Sequence, residues 1–374
     1  MVYTTDIYEI YSMSSPSKIT TEQVHQRVAD LERLLTEEYK PQHPPKKRDW
    51  RTYEQRWAYR LRQAMHDLAP LIEKSCALVE VRGTGPPHVL TLEQRVKLLL
   101  IKILNGQSNR RMAGMLETYS LLSGLEVNYK TIERLYSDPE VAMALENLHL
   151  LMLQRRGVRK ADVTGDGTGF TLSITRHYAT IATHEKEKAK ESPPPEETPK
   201  EGEKGKIVLA QKKAQRFVYS FRLLDLRTLL YVAYGTSLRS ERAAYDTSLE
   251  WLKRQGIEVT SVRLDRYYSH ASDAERFPGA KFYMLPRKDA KVHLQHEYLT
   301  ALREFVGNTV VYLEQYYRRE HSEAAFGADK RMLGWSIAQR RGDRIETADH
   351  CHAAWHNLLN LNGPDYPPSV GPVG

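Results

Sequence analysis

The residues whose side chains could most clearly bind a ligand or take part in a reaction lie close together near the C-terminal end of the chain. Five of them follow one another at steps of three, four, three and four: Tyr316, Arg319, Glu323, Phe326 and Lys330. This spacing predicts one face of an α-helix. A buried helix face normally carries aliphatic side chains, whereas this face sets a carboxylate between two cations and a phenol. Such a set suits a metal ligand beside a nucleic-acid backbone. The alternative is a solvated face with Glu–Arg and Glu–Lys pairs.

An aspartate far upstream could act with Glu323. Asp166 lies on a predicted strand between Gly165 and Gly167, and we expect these glycines to let a phosphate backbone approach closely. Asp162 competes for the same role, because residues four apart on a strand face the same side. The glycine context favours Asp166.

A third acid, Asp265, follows an apolar stretch that predicts a strand. An acid at the carboxyl end of a strand points into the crevice where α/β sheets bind ligands. Cutting DNA by in-line displacement uses two divalent ions about 3.5–4 Å apart. Mg²⁺ prefers oxygen ligands, so Asp166, Asp265 and Glu323 are predicted to hold two Mg²⁺ ions, for which Mn²⁺ would substitute.

The spacing Y-(2)-R-(3)-E-(6)-K, formed by Tyr316, Arg319, Glu323 and Lys330, resembles the signature of the DDE transposases of prokaryotic insertion sequences. The sequences DGT from Asp166 and LDRYY around Asp265 resemble the family's patterns at its first and second aspartates. The resemblance covers about residues 90–360. It implies an RNase H-like α/β catalytic domain in which the three acids are the catalytic residues.

The resemblance also implies an activity: hydrolysis at the ends of the element and attack of the freed 3′-hydroxyls on target DNA. Tyr316, Arg319 and Lys330 would contact the transposon end, and a homodimer or larger assembly would bridge two ends of double-stranded DNA. Some members insert a β-rich subdomain before the glutamate. Only residues 266–322 are available here, so we expect that subdomain to be small or absent, which puts a hairpin intermediate in doubt.

Two other functions fit the same residues. A domesticated DNA-binding protein would keep the fold without catalysis, although the presence of all three acids argues against it. An RNase H-like nuclease would cut DNA without strand transfer. An assay of cleavage and joining with an end-containing oligonucleotide and Mg²⁺ separates the three.

Composition supports a polyanionic partner. The 374 residues carry a formal net charge of +8, which favours nucleic acid. Cys76 and Cys351 are too few for a disulfide framework and indicate a reducing compartment. No run of about 18 apolar residues predicts a membrane span, and residues 1–17 lack a signal-peptide pattern. We therefore expect a cytoplasmic, nucleoid-associated protein.

The N-terminal half is predicted to be helical. Residues 1–45 form a polar arm with a short helix near 21–39, and residues 46–157 form a DNA-binding domain. Its first helix is basic and aromatic, which fits either phosphate contacts or a surface helix that buries Trp50, Trp57 and Leu61. Short helices after the capping box at Thr91 resemble a helix-turn-helix. The predicted recognition helix exposes Asn128, Lys130, Thr131 and Arg134.

The period changes from helical to extended at Arg159. Residues 158–360 are predicted to form the catalytic domain: strands first, then alternating helix and strand, then a closing helix. The predicted strands include residues 171–181 and residues 310–317, the latter running into the signature helix. Residues 183–206 form an insert of Glu, Lys, Pro, Ser and Gly that is predicted to be disordered, as is the tail 361–374. The cluster of Asp349, His350, Cys351, His352 and His356 could suggest zinc, but its apolar neighbours favour a packed helix.

Overall fold

The computed structural model describes residues 18–44, 49–80, 89–123, 127–172 and 217–363. Its centre is a six-stranded mixed sheet of strand order β3-β2-β1-β4-β5, with β6 pairing to β1. The strands are β1 Lys160–Leu172, β2 Phe217–Asp225, β3 Tyr231–Ser237, β4 Glu258–Leu264, β5 Lys281–Tyr283 and β6 Ser336–Ile337. β1 runs antiparallel to β2 and parallel to β4 and β6. This sheet and its flanking helices confirm a mixed α/β fold.

Helices precede the sheet and surround it. Before the sheet lie α1 Thr21–Ala29, α2 Leu31–Leu34, a π-helical turn Leu35–Tyr39, α3 Lys40–Gln42, α4 Trp50–Ala77, α5 Leu92–Leu104, α6 Asn109–Ser123, α7 Tyr129–Leu135 and α8 Pro139–Arg155. After β3 come α9 Glu241–Gln255, a 3₁₀ turn Arg266–Tyr268, α10 Ala271–Ala274, α11 His296–Gly307, α12 Thr309–Tyr317, α13 Glu320–Leu333 and α14 Gly342–Asn360.

Several local signals in the sequence are confirmed. Thr91 and Gln94 form the predicted capping box at the start of α5. The side chain of Asn128 caps α7 by accepting from the backbone of Thr131 at 2.9 Å. α9 ends at Gly256, whose φ of 63° is in the left-handed region where glycine is favoured.

Two large apolar clusters both include residues of the sheet. One fills the space around β2, β3 and β4 and includes Val24 and Val28 of the N-terminal arm. The other joins α4, α5, α7 and α8 to α14. Trp355 of α14 is fully buried there and donates from Nε1 to the carbonyl of Leu100 at 2.9 Å. The N-terminal helices are therefore packed onto the last helix of the α/β part.

The predicted strand at Val310–Tyr317 is wrong, because this segment is helix α12. Its β-branched residues favour a strand, but Asn308 caps the helix and the buried residues Tyr312, Leu313 and Tyr316 repeat at helical spacing. Tertiary burial of this stripe outweighs the local propensity.

The prediction of a single helix through residues 316–330 is also wrong. α12 ends at Tyr317 and α13 begins at Glu320. A tight turn separates them, in which the backbone amide of Arg319 bonds to Tyr316 at 3.1 Å and that of Ser322 bonds to Arg319 at 2.9 Å. The signature therefore spans two helices.

Other expectations have mixed outcomes. Residues 266–322 are all described and contain one three-residue strand among helices, so a β-rich subdomain is absent there. Trp50 is 63 % exposed, which contradicts its burial on a surface helix. Of the separate strand predicted at 171–181, only residues 171 and 172 are described, and they form the end of β1. The insert 183–206 and residues 364–374 lie outside the described residues.

Both cysteines are free thiols, Cys76 half-buried and Cys351 buried. In the described ranges, every helix is too short or too polar to cross a membrane.

Candidate active site

Asp166 lies in the middle of β1, directly opposite Arg222 of β2. Its Oδ1 accepts a hydrogen bond from the backbone amide of Gly167 at 2.8 Å. Burial raises the pKa of Asp166 to about 6, and the nearby charges of Glu323 and Asp265 act in the same direction. The amide of Gly167 and the cation of Arg319 oppose this rise without cancelling it. The carboxyl group is thus close to the other two predicted acids.

The flanking glycines have a different role from the expected one. A Cβ atom at Gly165 would meet the side chains of Leu223 and Leu264 at 2.6 and 2.8 Å, and one at Gly167 would collide with Glu241. The space beside both glycines is filled by protein. The expectation that they admit a phosphate backbone is therefore wrong, and packing on the sheet explains their small size.

Asp265 and Glu323 approach Asp166 and Arg319 from two other elements, and we call the space among these four side chains the crevice. Asp265 directly follows the end of β4, where its backbone begins the 3₁₀ turn. Glu323 lies in the first turn of α13. Their side chains are 45 % and 50 % exposed, so both carboxylates can reach a ligand in solvent.

Arg319 lies among the three acids. Its Nη2 is 2.9 Å from Oε1 of Glu323, and its Nη1 is 4.0 Å from Oδ1 of Asp265. Burial opposes the charge of this guanidinium, but Tyr316 and the three acids outweigh it and raise the pKa of Arg319. A permanent cation therefore balances the carboxylates.

The donor chemistry fits a hard divalent ion. Carboxylate oxygens are the ligands that Mg²⁺ prefers, and Mg²⁺ sites in proteins use few of them together with waters and substrate phosphates. Among the described residues, however, no three His, Cys, Asp or Glu side chains are close enough together to hold one ion. The acids converge on a shared crevice without forming a closed cage.

The other signature residues surround this crevice in different ways. Tyr316 is 2 % exposed, and its ring lies 5.7 Å from the guanidinium carbon of Arg319. It can support Arg319 but presents little surface to a DNA backbone. The amine of Lys330 lies 5.2 Å from the ring centre of the exposed Trp335 and 5.5 Å from that of Phe170, at the rim of the sheet.

Asp162, the competing acid, has protein partners. Its carboxylate is bound by Arg263, by Ser261 and by Arg318, the last at 3.0 Å. Two guanidiniums already neutralise it, which leaves Asp166 as the better candidate for the first acid.

The predicted recognition residues lie on α7 or directly before it. They are distant from the three acids in sequence and belong to a different element. Asn128, Lys130 and Arg134 are exposed, and Thr131 is half-buried. The side chains of Asn128 and Thr131 are also 3.3 Å apart, within the helix cap. Capping therefore uses two of the four groups expected to read bases.

A buried network centred on Arg222, the cross-strand neighbour of Asp166, was not predicted from the sequence. Arg222 donates to Asp329 of α13 at 3.0 Å and to Asp349 of α14 at 2.6 Å. Asp329 also accepts from Tyr231 at 2.8 Å and lies 2.7 Å from Nδ1 of His356. Arg222 stands between Phe221 and Leu223 in β2, and this was the available signal, since a fully buried arginine requires partners.

Asp349 and His356 belong to the cluster that could have suggested zinc. They form part of this hydrogen-bonded network, and Cys351 and His352 are buried in the same helix, α14. The expectation of a packed helix is confirmed.

The chain is 36 % identical over 301 residues to a probable transposase for insertion sequence element ISA1214 from Archaeoglobus fulgidus. The aligned part covers 80 % of this chain and 84 % of that protein. No protein-family model matches the chain, and no solved structure matches it.

Proposed function

The chain belongs to the transposases of insertion sequence elements, and from this premise we propose that it cleaves DNA at the element's ends and joins them to target DNA. The observation that carries the proposal is the convergence of Asp166, Asp265 and Glu323 from β1, β4 and α13 around Arg319. Strand order β3-β2-β1-β4-β5 supports an RNase H-like sheet. The partner would be double-stranded DNA, held by a homodimer or larger assembly.

Asp166, Asp265 and Glu323 would hold the Mg²⁺ ions. When bound, two such ions activate the attacking oxygen and stabilise the leaving oxygen of an in-line displacement. Asp166 must lose its proton to act as a ligand, and Arg319 favours the charged form. Arg319 would then turn from the acids toward a phosphate, to which a guanidinium can donate two hydrogen bonds. Lys330 would add a second cation seven residues after Glu323 in α13, beside Trp335.

The N-terminal helices would supply DNA recognition. We propose that α7 enters the major groove as the last helix of a helix-turn-helix, with Lys130 and Arg134 as its exposed cations. The packing of α4, α5 and α8 against α14 would transmit the position of this helix to the crevice.

The test uses purified full-length protein with oligonucleotides that carry the terminal sequences of its own element. We expect nicking at the ends and joining to a target in Mg²⁺. We expect the cleavage rate to fall by more than about 100-fold in each of Asp166→Asn, Asp265→Asn and Glu323→Gln. Removing a metal ligand should lower activity more than removing a residue that only orients a ligand. All three should still bind end DNA.

Asp246→Asn is the matched control, because Asp246 pairs with Arg276 on the surface of α9. It should cleave at the wild-type rate. Tight binding without cleavage by the wild-type protein would favour a DNA-binding protein, and cleavage without joining would favour a nuclease.

A further inference from the structure

Asp162 connects the three elements that carry the acids. It lies on β1 four residues before Asp166, and its Oδ1 accepts from Ser261 and Arg263 of β4. Its Oδ2 accepts from Nη1 of Arg318 at 3.0 Å, in the turn between α12 and α13. One carboxylate therefore joins two strands and the turn that starts the helix of Glu323.

The two guanidiniums are fixed by further bonds. Arg263 donates from Nε to the carbonyl of Gln315 at 2.6 Å and from Nη2 to its side chain at 3.2 Å. Nη1 of Arg318 lies 3.5 Å from the same side-chain oxygen. Arg263 is 2 % exposed and Arg318 is 6 % exposed. Buried charges with several partners have little freedom to move.

The sequence positions make this arrangement relevant to catalysis. Arg263 lies on β4 two residues before Asp265, which directly follows the strand. Arg318 is adjacent to Arg319 and five residues before Glu323. A shift of Asp162, Arg263 or Arg318 would therefore also move the segment that carries Asp166, Asp265 or Glu323, respectively.

We propose that Asp162, Arg263 and Arg318 form a charge clamp that sets the separation of Asp166, Asp265 and Glu323, with Asp162 as a positioning residue. The inference rests on the proposed function. Within the clamp, one carboxylate faces two buried guanidiniums.

Asp162→Asn tests the clamp, because it keeps the shape of the side chain and removes its charge. We expect the cleavage rate to fall about 10- to 100-fold, as for residues that orient metal ligands. End-DNA binding should stay within about twofold. The half-saturating Mg²⁺ concentration should rise about tenfold, and high Mg²⁺ or Mn²⁺ should restore part of the rate. A purely structural role would leave the Mg²⁺ requirement unchanged.

Two further variants keep the test decisive. Ser261→Ala removes a neutral bond to Asp162 and should raise the Mg²⁺ requirement by about two- to fivefold, with normal folding. Asp162→Asn combined with Arg318→Gln should cost less than the sum of the single changes, because one unbalanced cation is removed.

Three results would overturn the clamp: wild-type rate and Mg²⁺ requirement in Asp162→Asn, unchanged Mg²⁺ requirement in Ser261→Ala, or a folded Asp162→Asn protein that binds DNA but is inactive at every Mg²⁺ and Mn²⁺ concentration. The last result would make Asp162 a metal-holding acid itself. Normal cleavage by Asp166→Asn would instead refute the proposed function, whatever Asp162→Asn does.

Discussion

Two of the carboxylates on helix α13, six residues apart, have opposite surroundings. Asp329 is 6 % exposed and is bound by Arg222, Tyr231 and His356. Glu323 is 50 % exposed and pairs with Arg319, four residues earlier in the chain. The same chemical group is thus neutralised inside the protein at one end of the helix and available to a ligand at the other.

The difference shows how a helix can be anchored at one point and reactive at another. Burial raises the pKa of Asp329, but His356 and Arg222 outweigh it and lower the pKa overall. Asp166, near Glu323, has the opposite balance and a raised pKa. The buried pairs of Asp329 hold the helix in place. Asp166 and Glu323 are less fully paired, so their negative charge can attract a cation from solvent.

Matched amide substitutions give the largest expected contrast. Asp329→Asn leaves Arg222 with one carboxylate fewer in a buried site, and we expect the free energy of unfolding to fall by about 3–5 kcal/mol. Glu323→Gln breaks an exposed pair and should change it by less than about 1 kcal/mol. Urea denaturation of both variants at pH 7 measures the two effects. Equal losses of stability would abolish the distinction between the two ends of α13.

The raised pKa of Asp166 predicts a smaller, pH-dependent effect. Between about pH 4 and about pH 6 the folded protein keeps a proton that the unfolded chain has released, so its stability should fall as pH rises through this window. Mg²⁺ competes with that proton, so its affinity should weaken by up to about tenfold per pH unit below about pH 6.

Unfolding experiments without divalent ions and Mg²⁺ titrations by calorimetry, each across this pH range, provide the measurements. Asp166→Asn should remove the corresponding pH dependence of stability, whereas the surface control Asp246→Asn should retain it. A wild-type Mg²⁺ affinity that does not change with pH would show that Asp166 is not a ligand of the ion.

Sequence reasoning was most informative where the signal is local. Caps such as Asn128 and the strands around Asp166 and Asp265 follow from short patterns, and the structure has them. It was wrong where distant contacts decide. The β-branched start of α12 forms a helix because its buried stripe packs on the sheet, and Gly165 is small because side chains of two other strands fill the space beside it.

The candidate site divides in the same way. The order of the acids and the spacing of Arg319 and Glu323 could be taken from the sequence, since each belongs to a short motif. The partners of Asp162 could not, because Arg263 and Arg318 lie 101 and 156 residues away from it in the chain. Whether Asp162 or Asp166 is neutralised depends on ion pairs formed in the tertiary structure, and the spacing of residues in the sequence does not predict them.

The smallest expected effect concerns Lys330, the neighbour of Asp329. Its amine lies against the exposed Trp335, so Lys330→Gln should reduce the dependence of end-DNA binding on salt by about one unit of slope. Stability should change by less than about 0.5 kcal/mol, as for surface positions.

Lys160→Gln is the matched control. Lys160 is the exposed first residue of β1, and it pairs with Glu258. Binding measured over a range of salt concentrations should separate them. Equal slopes in the two variants would mean that Lys330 does not contact the DNA backbone.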